Sequence, residues 1–358
     1  MSIVRQLGAS PALVTLITVA ASLLAPACVA YPTESSPSSG GEIEPNTSTC
    51  PSSSTPTVGG DSLFAVDSNV SPALAVTPAT LFWLDRGPYI TDSIQALPLS
   101  GAPATTLYVA SPDATAAIED LVSDGTNVYF AQVTNNDGQY SSTIESIPVG
   151  GGTATVLTTV DTYVLNLSIA GEELYFTDGS TLQIVAKKGG SPSIVSGSQG
   201  GIAASGTAVF FTNVNGALAE IPSVGTPSSV LVDHEVTQND ALLTTLVAND
   251  SQLFWPCQDD SGGLLCAAAI RGGNGTAQIL TTLDLGSSEL TADDSSVYFV
   301  DTSACTSWLG KVPVGGGAAV TLATGFGHSS EPSTAHAVAV DDTYVYWTSP
   351  GEVLRAAK

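Results

Sequence analysis

Residues 121–130 read LVSDGTNVYF, residues 290–299 read LTADDSSVYF, and residues 338–347 read VAVDDTYVYW. Each stretch begins with an aliphatic residue, has a turn-forming residue at its fifth position, and ends with an aliphatic residue before two adjacent aromatic ones. Self-similarity at a period of ~44 residues indicates a repeat architecture. Seven aromatic pairs share this register: Phe82-Trp83, Tyr129-Phe130, Tyr175-Phe176, Phe210-Phe211, Phe254-Trp255, Tyr298-Phe299 and Tyr346-Trp347.

Every repeat contains signals for short strands. The aromatic pair and the aliphatic residue before it form three consecutive apolar positions, which need cover on both faces of a strand. Downstream, most repeats have another strand that ends in a Pro or Gly-Gly turn, such as Ile147-Pro148 or Lys188-Gly189-Gly190, and then a short β-branched run. Four antiparallel strands at this period are typical of a propeller blade. The sequence therefore predicts an all-β, seven-bladed β-propeller with the aromatic pairs buried between blades.

The two ends of the repeat region complement each other. The last repeat has three strand signals and then reaches Lys358, without a fourth strand. Residues 59–65 instead look like a fourth strand that follows a Gly-Gly turn. We therefore expect residues 61–66 to pair with the strand at 352–356, so that the N-terminal strand closes the ring and covers its open edge. The propeller domain is predicted to span residues 59–358.

The residues that follow the aromatic pairs resemble a known motif. Phe82-Trp83-Leu84-Asp85, Tyr175-Phe176-Thr177-Asp178 and Tyr346-Trp347-Thr348-Ser349 are similar to the Tyr-Trp-Thr-Asp (YWTD) motif of lipoprotein-receptor-type propellers. That family has six blades, whereas this chain has seven aromatic pairs. The chain also resembles uncharacterised bacterial exported propellers with Gly-Gly-linked repeats. Both resemblances imply a propeller, and neither implies a specific activity.

The N-terminal region is typical of an exported protein. Residues 1–27 are predicted to be a signal peptide, because Arg5 precedes an apolar stretch at 11–25. Leu24-Ala25-Pro26-Ala27-Cys28 resembles a bacterial lipobox, which implies lipid attachment at Cys28. Cleavage after Ala27 or Ala30 without a lipid, or a retained membrane anchor, are the alternatives. Residues 28–58 are rich in Ser, Thr and Pro and are predicted to be a disordered tether. We expect export from a bacterial cell, with membrane contact only through such a lipid.

Four cysteines remain after Cys28, an even number that suits two disulfides in an exported protein. Cys257 and Cys266 flank a turn signal, which predicts a disulfide across a hairpin. Cys50 with Cys305 follows by elimination. The spacings of structural zinc sites are absent from the sequence.

Composition excludes several functions. The chain of 358 residues has 8 Lys and Arg against 33 Asp and Glu, and a formal net charge of −25. Such a polyanion repels phosphate, which argues against binding to nucleic acid or to an anionic membrane through a basic patch. The sequence has only 3 histidines and no nucleophile elbow, and its glycine triplets recur at hairpin turns rather than before helices. An enzyme is therefore not the first expectation.

A candidate site lies where the innermost strands begin. There, residues of different blades are expected to face the mouth of the central channel: Glu119, Asp120, Asn166, Glu289 and His336. Oxygen ligands from several blades suit calcium, with Glu119, Asp120 and Glu289 as carboxylate ligands and Asn166 as a neutral one. No other cofactor is expected. The alternative is a solvated acidic rim, since the chain is acidic throughout.

These observations favour a monomeric, exported interaction scaffold that binds a protein or glycan partner through the loops of one face. Tyr89, Tyr140 and Trp308 are candidates for exposed aromatic contacts on that face. The alternative is a hydrolase or lyase at the channel mouth, similar to propeller lactonases or streptogramin-type lyases, with His336 as a proton carrier and a bound divalent cation. That alternative rests on analogy with the fold.

Overall fold

The computed structural model describes residues 61–65, 69–86, 92–110, 116–198, 200–232, 245–259, 262–270, 276–283, 289–303, 306–326, 337–349 and 351–358. The signal peptide, Cys28, the tether and Cys50 lie outside these ranges, and what the sequence predicts for them stays a prediction. All regular elements of the described part are β-strands. That part contains no helix long and apolar enough to cross a membrane.

The strands form seven four-stranded sheets, which we number as blades. β1 (Asp61–Ala65) precedes blade 1. Blade 1 consists of β2 (Asn69–Val76), β3 (Thr80–Arg86), β4 (Asp92–Pro98) and β5 (Thr105–Val109). Blade 2 consists of β6 (Ala116–Ser123), β7 (Asn127–Asn136), β8 (Gln139–Pro148) and β9 (Thr155–Val160). Blade 3 consists of β10 (Asn166–Ala170), β11 (Glu173–Thr177), β12 (Thr181–Ala186) and β13 (Ser193–Gly197).

The second half of the ring repeats this arrangement. Blade 4 consists of β14 (Ile202–Ser205), β15 (Ala208–Thr212), β16 (Leu218–Ile221) and β17 (Ser229–Val232). Blade 5 consists of β18 (Val247–Ala248), β19 (Gln252–Asp259), β20 (Gly262–Ala269) and β21 (Gln278–Leu283). Blade 6 consists of β22 (Glu289–Ala292), β23 (Ser296–Ser303), β24 (Thr306–Pro313) and β25 (Val320–Phe326). Blade 7 contains β26 (Val338–Val340), β27 (Tyr344–Ser349) and β28 (Glu352–Ala357).

The predicted seven-bladed β-propeller is confirmed. Strands of a blade pair antiparallel in order, and each blade's first strand contacts the first strands of both neighbouring blades, with β2 contacting β26 to complete the ring. Because neighbouring strands run in opposite directions, the ring has two faces. We call the one where first and third strands begin the mouth face, and the one where they end the turn face.

The N-terminal strand closes the ring as predicted. β1 is the outer strand of blade 7 and pairs antiparallel with β28, with Asp61 opposite Arg355 and Ala65 opposite Glu352. The edge of β28 is thereby covered, and the last blade has four strands like the others.

The aromatic pairs are buried, and their two members pack against opposite blades. All seven second strands place the pair and the preceding aliphatic residue in the core. Trp83 packs against Tyr346 of blade 7, whereas Phe82 packs with Phe130 of blade 2. The same rule holds around the ring, since the first aromatic residue of each blade shares a cluster with the second of the next. Burial of each large side chain stabilises the interface by roughly 1.5–3 kcal/mol.

The predicted disulfide between Cys257 and Cys266 is present, with Cα atoms 5.9 Å apart. Cys266 lies directly opposite Trp255 in the ladder of β19 and β20, so the bridge runs diagonally across the hairpin. Both cysteines are buried in the core between blades 4 and 5. Cys305 lies outside the described residues, and its pairing with Cys50 stays a prediction.

Candidate functional site at the channel mouth

Asp120 joins two blades at the channel mouth. Its Oδ1 atom accepts a hydrogen bond from the Leu121 N–H of its own strand at 2.7 Å, and its Oδ2 atom accepts one from the Leu167 N–H of blade 3 at 2.7 Å. Burial raises the pKa of the Asp120 carboxyl to about 7, and the charge of Glu119 adds to this, although the two hydrogen bonds act in the opposite direction. The group is thus a blade-to-blade link with an unusually high proton affinity.

Glu289 is the first residue of β22 in blade 6. Burial raises the pKa of its carboxyl group to about 7, and the charge of Asp120 raises it further. The charge of a carboxyl group in blade 2 therefore influences the proton affinity of one in blade 6, and the convergence of the five candidate residues on one point stays a prediction. The Glu289 side chain has no hydrogen-bond donor or cation among the residues that the structure describes.

Glu119 is separated from this pair by a β-bulge. Ile118 lies opposite Gln132 and Asp120 lies opposite Ala131, so that Glu119 is an extra residue in β6. A bulge re-aims the side chain it carries. The Glu119 Oε2 atom lies 3.8 Å from Arg86 Nη2, and the Glu119 carboxylate adds to burial in raising the pKa of the Tyr163 hydroxyl. Two acidic residues adjacent in the sequence therefore have different partners.

Of the remaining candidates, Asn166 begins β10 and is partly exposed, and its side-chain amide makes no hydrogen bond to another described residue. His336 lies outside the described residues. Within the ranges that the structure describes, no group of three His, Cys, Asp or Glu side chains could hold a metal ion.

One of the candidate aromatic residues is exposed on the mouth face. Tyr140, in the hairpin between β7 and β8, is 41% exposed and packs edge-on against Tyr163, with ring centroids 5.1 Å apart. Trp308 is only partly exposed, because its ring packs edge-on against Phe299 at 5.1 Å and lies over Gly310. The interpretation of Trp308 as a free contact is therefore wrong. Tyr89 lies outside the described residues.

The turn face contains a recurrent aspartate that the sequence analysis missed. Tyr hydroxyls donate to the aspartate five residues earlier, at 3.0 Å for Tyr129 and Asp124, at 3.0 Å for Tyr298 and Asp293, and at 2.7 Å for Tyr346 and Asp341. The other oxygen of each aspartate accepts two backbone N–H groups of the turn. In blade 3 this position is Ala170, and the buried Tyr175 hydroxyl has no partner among the described residues.

Lysines connect two of these aspartates to the following blade. Lys187 Nζ lies 2.9 Å from Asp124 Oδ2, and Lys358 Nζ lies 2.7 Å from Asp293 Oδ2. Although burial acts in the opposite direction, hydrogen bonds from the turn backbone and from Lys187 lower the pKa of Asp124 to about 2. The pKa of Asp293 is also lowered, chiefly by Lys358 and Ser295, against the effect of burial. The sequence does contain a signal for these tyrosine–aspartate hydrogen bonds, which is an Asp five residues before the Tyr of an aromatic pair.

Charge is unevenly divided between the two halves of the ring. Among the described residues, Arg86 is the one basic side chain in the half next to the mouth face. The described basic residues of the other half are Lys187, Lys188, Lys311, Arg355 and Lys358. Described acidic residues of the mouth half are Asp85, Asp92, Glu119, Asp120, Asp137, Asp161, Asp178, Asp259, Glu289, Asp301 and Glu352. The mouth half is therefore the more negative of the two, although the described turn half is also net negative, because Asp124, Glu172, Glu173, Asp250, Asp293, Asp294, Asp341 and Asp342 outnumber its five basic side chains.

No protein-family model matches the sequence, and no curated protein matches it. Solved propellers match its structure. YCF48 bound to D1 peptide is 9% identical, with a TM-score of 0.57 over 84% of this chain and 96% of that one. The extracellular domain of the one-component system BT4673 from B. thetaiotaomicron is 10% identical, with a TM-score of 0.56 over 83% of this chain and 39% of that one. The N-terminal domain of Nup159 is 10% identical, with a TM-score of 0.53 over 84% and 94%.

Proposed function

We propose that this seven-bladed propeller is an exported binding scaffold whose mouth face receives a protein partner. The observation that carries the proposal is the contrast between the faces. On the turn face, Asp124, Asp293 and Asp341 accept hydrogen bonds from tyrosines and backbone groups of the same face, and two of them also contact lysines. The mouth face instead presents the exposed Tyr140 and the carboxyl group of Glu289, which has no described partner. Peptide binding by the similar propeller YCF48 supports the proposal as an analogy of fold.

Site-specific photo-crosslinking tests this assignment. A benzophenone amino acid replaces Tyr140 on the mouth face or, as a control, the exposed Asp342 on the turn face. Each variant is mixed with an envelope fraction of the producing bacterium and irradiated. We expect adducts at position 140 and none at position 342. Equal adducts at both positions, or adducts at 342 alone, would refute the proposal, and loss of the adducts after removal of glycans would identify a glycan partner.

Export through the leader is part of the same proposal, with acylation at Cys28 and secretion as its two forms. A clickable fatty acid should label the full chain but not a Cys28→Ala variant. Soluble, unlabelled protein in the medium would support secretion instead. Labelling of the Cys28→Ala variant would refute acylation at this cysteine.

A hydrolase or lyase at the channel mouth is the second candidate. A general acid or base works best with a pKa near the working pH, and the pKa values of Asp120 and Glu289, each about 7, favour this candidate. Such an enzyme is expected to bind calcium between the two carboxylates. Lactones and a streptogramin serve as test substrates, with and without calcium. The enzyme would be supported if wild type turns over a substrate, Glu289→Gln abolishes that turnover, and calcium raises the melting temperature. If wild type shows neither turnover nor a shift with calcium, only the scaffold function remains.

A further inference from the structure

A cavity of about 460 Å³ lies on the turn face, where blade 7 meets blade 1. The turn between β4 and β5 forms one side of it, and β1 and the end of β28 form the other. Most of its lining is apolar, and only Arg355 among the lining residues carries a charge; the lining includes Leu63, Leu97, Leu99, Pro103, Ala104 and Arg355. Small-molecule sites have volumes of roughly 300–1,000 Å³ and the same mixture of apolar surface with a few polar groups.

A recurrent β-bulge determines where the cavity lies. The outer strand of every blade contains one extra aliphatic residue, such as Leu157 in blade 2 and Leu280 in blade 5. These two leucines are buried against the blade that follows. Leu63 is the equivalent residue of blade 7, in β1, and it is only partly buried against blade 1. The cavity therefore lies where a bulge residue is incompletely covered.

The turn of the following blade covers the bulge in blades 3 and 6. There, Gly190 and Gly317 each donate the backbone N–H to the carbonyl of the bulge leucine, at 3.1 Å and 3.4 Å. Their φ angles are 145° and 136°, a conformation that is essentially restricted to glycine. Ala102 is the equivalent residue of blade 1, but it does not have this conformation, and none of the hydrogen bonds of the described residues joins it to Leu63. The turn of blade 1 therefore leaves space above the bulge.

Arg355 places a positive charge at this space. Its guanidinium carbon lies 4.6 Å from the centroid of the Tyr344 ring, and such stacking uses the face of the group while its five N–H donors point outward in the plane. Asp61 lies opposite Arg355 in the ladder of β1 and β28, and a guanidinium can donate to more than one carboxylate. A cation beside an apolar cavity, in a chain with a net charge of −25, favours an anionic ligand with an apolar body.

We propose that this cavity binds a small carboxylic acid with an apolar chain. The chain contacts the leucines of β1 and of the blade 1 turn, and the carboxylate accepts hydrogen bonds from Arg355. The site lies on the turn face, whereas the protein partner is assigned to the mouth face. The proposal therefore goes beyond the scaffold function, and either of the two can fail without the other.

Calorimetric titration with octanoate, octanol and acetate tests the proposal. Octanol has the apolar chain without the carboxylate, and acetate has the carboxylate without the chain. Arg355→Met removes the charge from the cavity. Lys311→Met is the matched control, because Lys311 lies opposite Tyr298 in blade 6 as Arg355 lies opposite Tyr346 in blade 7, and both substitutions change the net charge equally. Ala104→Phe fills the cavity, and melting curves confirm that each variant is folded.

We expect wild type to bind octanoate at least about tenfold more tightly than octanol or acetate. Arg355→Met and Ala104→Phe should each weaken octanoate binding at least about tenfold, and Lys311→Met less than about twofold. Equal losses in Arg355→Met and Lys311→Met would show attraction to charge in general and overturn the proposal.

The comparison of ligands on wild type decides the matter even if a variant does not fold, because equal affinities for octanoate and octanol would overturn recognition of a carboxylate. A further variant lacks residues 51–58, which precede β1. If this variant binds octanoate and wild type does not, the chain's own N-terminal segment fills the cavity and the proposal is wrong. Absence of binding in both proteins would also overturn it.

Discussion

The pKa values of the tyrosine-linked aspartates on the turn face and of Asp120 and Glu289 at the mouth are shifted in opposite directions. On the turn face, hydrogen bonds and lysines hold the pKa of Asp124 at about 2, and the pKa of Asp293 is also lowered. At the mouth, burial raises the pKa values of Asp120 and Glu289 to about 7. The turn-face groups stabilise the fold when charged, whereas the mouth groups destabilise it when charged.

This difference separates two kinds of residue. The aspartates of the turn face recur at one position of the repeat, and each holds its own blade or the next one. Glu289 occurs once, at a position where the other blades have different residues, and its raised pKa means that the charged carboxylate is less favourable in the folded state than in water. A residue that departs from the repeat and costs stability is a candidate for function.

Two distinct faces exist only if the ring is closed. Opening the ring should therefore lower the stability of the protein more than any of the substitutions below. Deletion of residues 59–66 removes the ladder between β1 and β28 and exposes an edge. We expect the melting temperature to fall by at least about 10 °C, since 1 kcal/mol corresponds to roughly 2–4 °C in a domain somewhat smaller than this one. Calorimetry measures the change. Deletion of residues 29–49, which keeps Cys28 and Cys50, is the control, and equal melting curves of the two deletions would contradict ring closure by β1.

On the turn face, Asp293→Ala should destabilise the protein by about 2–3 kcal/mol, because backbone groups of the turn, Tyr298 and Lys358 lose their acceptor. Denaturant unfolding measures the loss. The neighbouring Asp294 is exposed, and Asp294→Ala should change stability by less than about 0.5 kcal/mol. Since the pKa of Asp293 is lowered in the folded state, its contribution should be present above about pH 4 and disappear as the pH falls below that. A pH-independent loss would contradict this account.

At the mouth, Glu289→Gln should have the opposite sign and stabilise the protein by about 1–2 kcal/mol at pH 8. The folded state raises the pKa of Glu289 to about 7, so it binds a proton more tightly than the unfolded chain does, and wild-type stability falls as the pH rises from about 4 to 7. The advantage of the variant should therefore shrink toward pH 4. Glu352→Gln is the control. A Glu289→Gln variant less stable than wild type at pH 8 would show that the carboxylate has a stabilising partner.

The smallest expected change in stability concerns the ion pair between Lys187 of blade 3 and Asp124 of blade 2. Lys187→Met should cost about 0.5–1 kcal/mol, because Lys187 contacts Asp124 at 2.9 Å on a partly exposed surface. High salt should reduce the loss. Lys188 is its exposed neighbour, and Lys188→Met should change stability little. Equal effects of the two substitutions would mean that the ion pair contributes nothing.

The fold could be predicted because its decisive residues repeat in register. Three apolar positions in a row, as in Leu81, Phe82 and Trp83, need cover on both faces, and only a neighbouring blade on each side supplies it. Ring closure and the disulfide between Cys257 and Cys266 followed from local patterns at the chain end and at one hairpin.

The site could be predicted only in part, because it depends on how strands pair rather than on which residues they contain. Asp120 and Glu289 both begin the regular part of an inner strand, and the charge of Asp120 raises the pKa of Glu289. The β-bulge at Glu119 could not be predicted, because a shift in strand register depends on the neighbouring strand as well as on the sequence of β6. The exposure of Trp308 was also predicted wrongly. Its ring lies over Gly310, two residues further along the same strand, and this packing cannot be read from the order of the residues.

The pairing of β1 with β28 also has a consequence for the time order of folding. Of the described strands, β1 is made first and its partner β28 is made last, so the final ladder of the ring can form only after all the other blades have been made. Blades 1 to 6 each combine strands that are consecutive in the chain and can assemble as they emerge. Closure joins the most distant parts of the sequence and bears the largest loop entropy. Until that last step, the nascent protein is an open arc whose two free edges need protection from other chains.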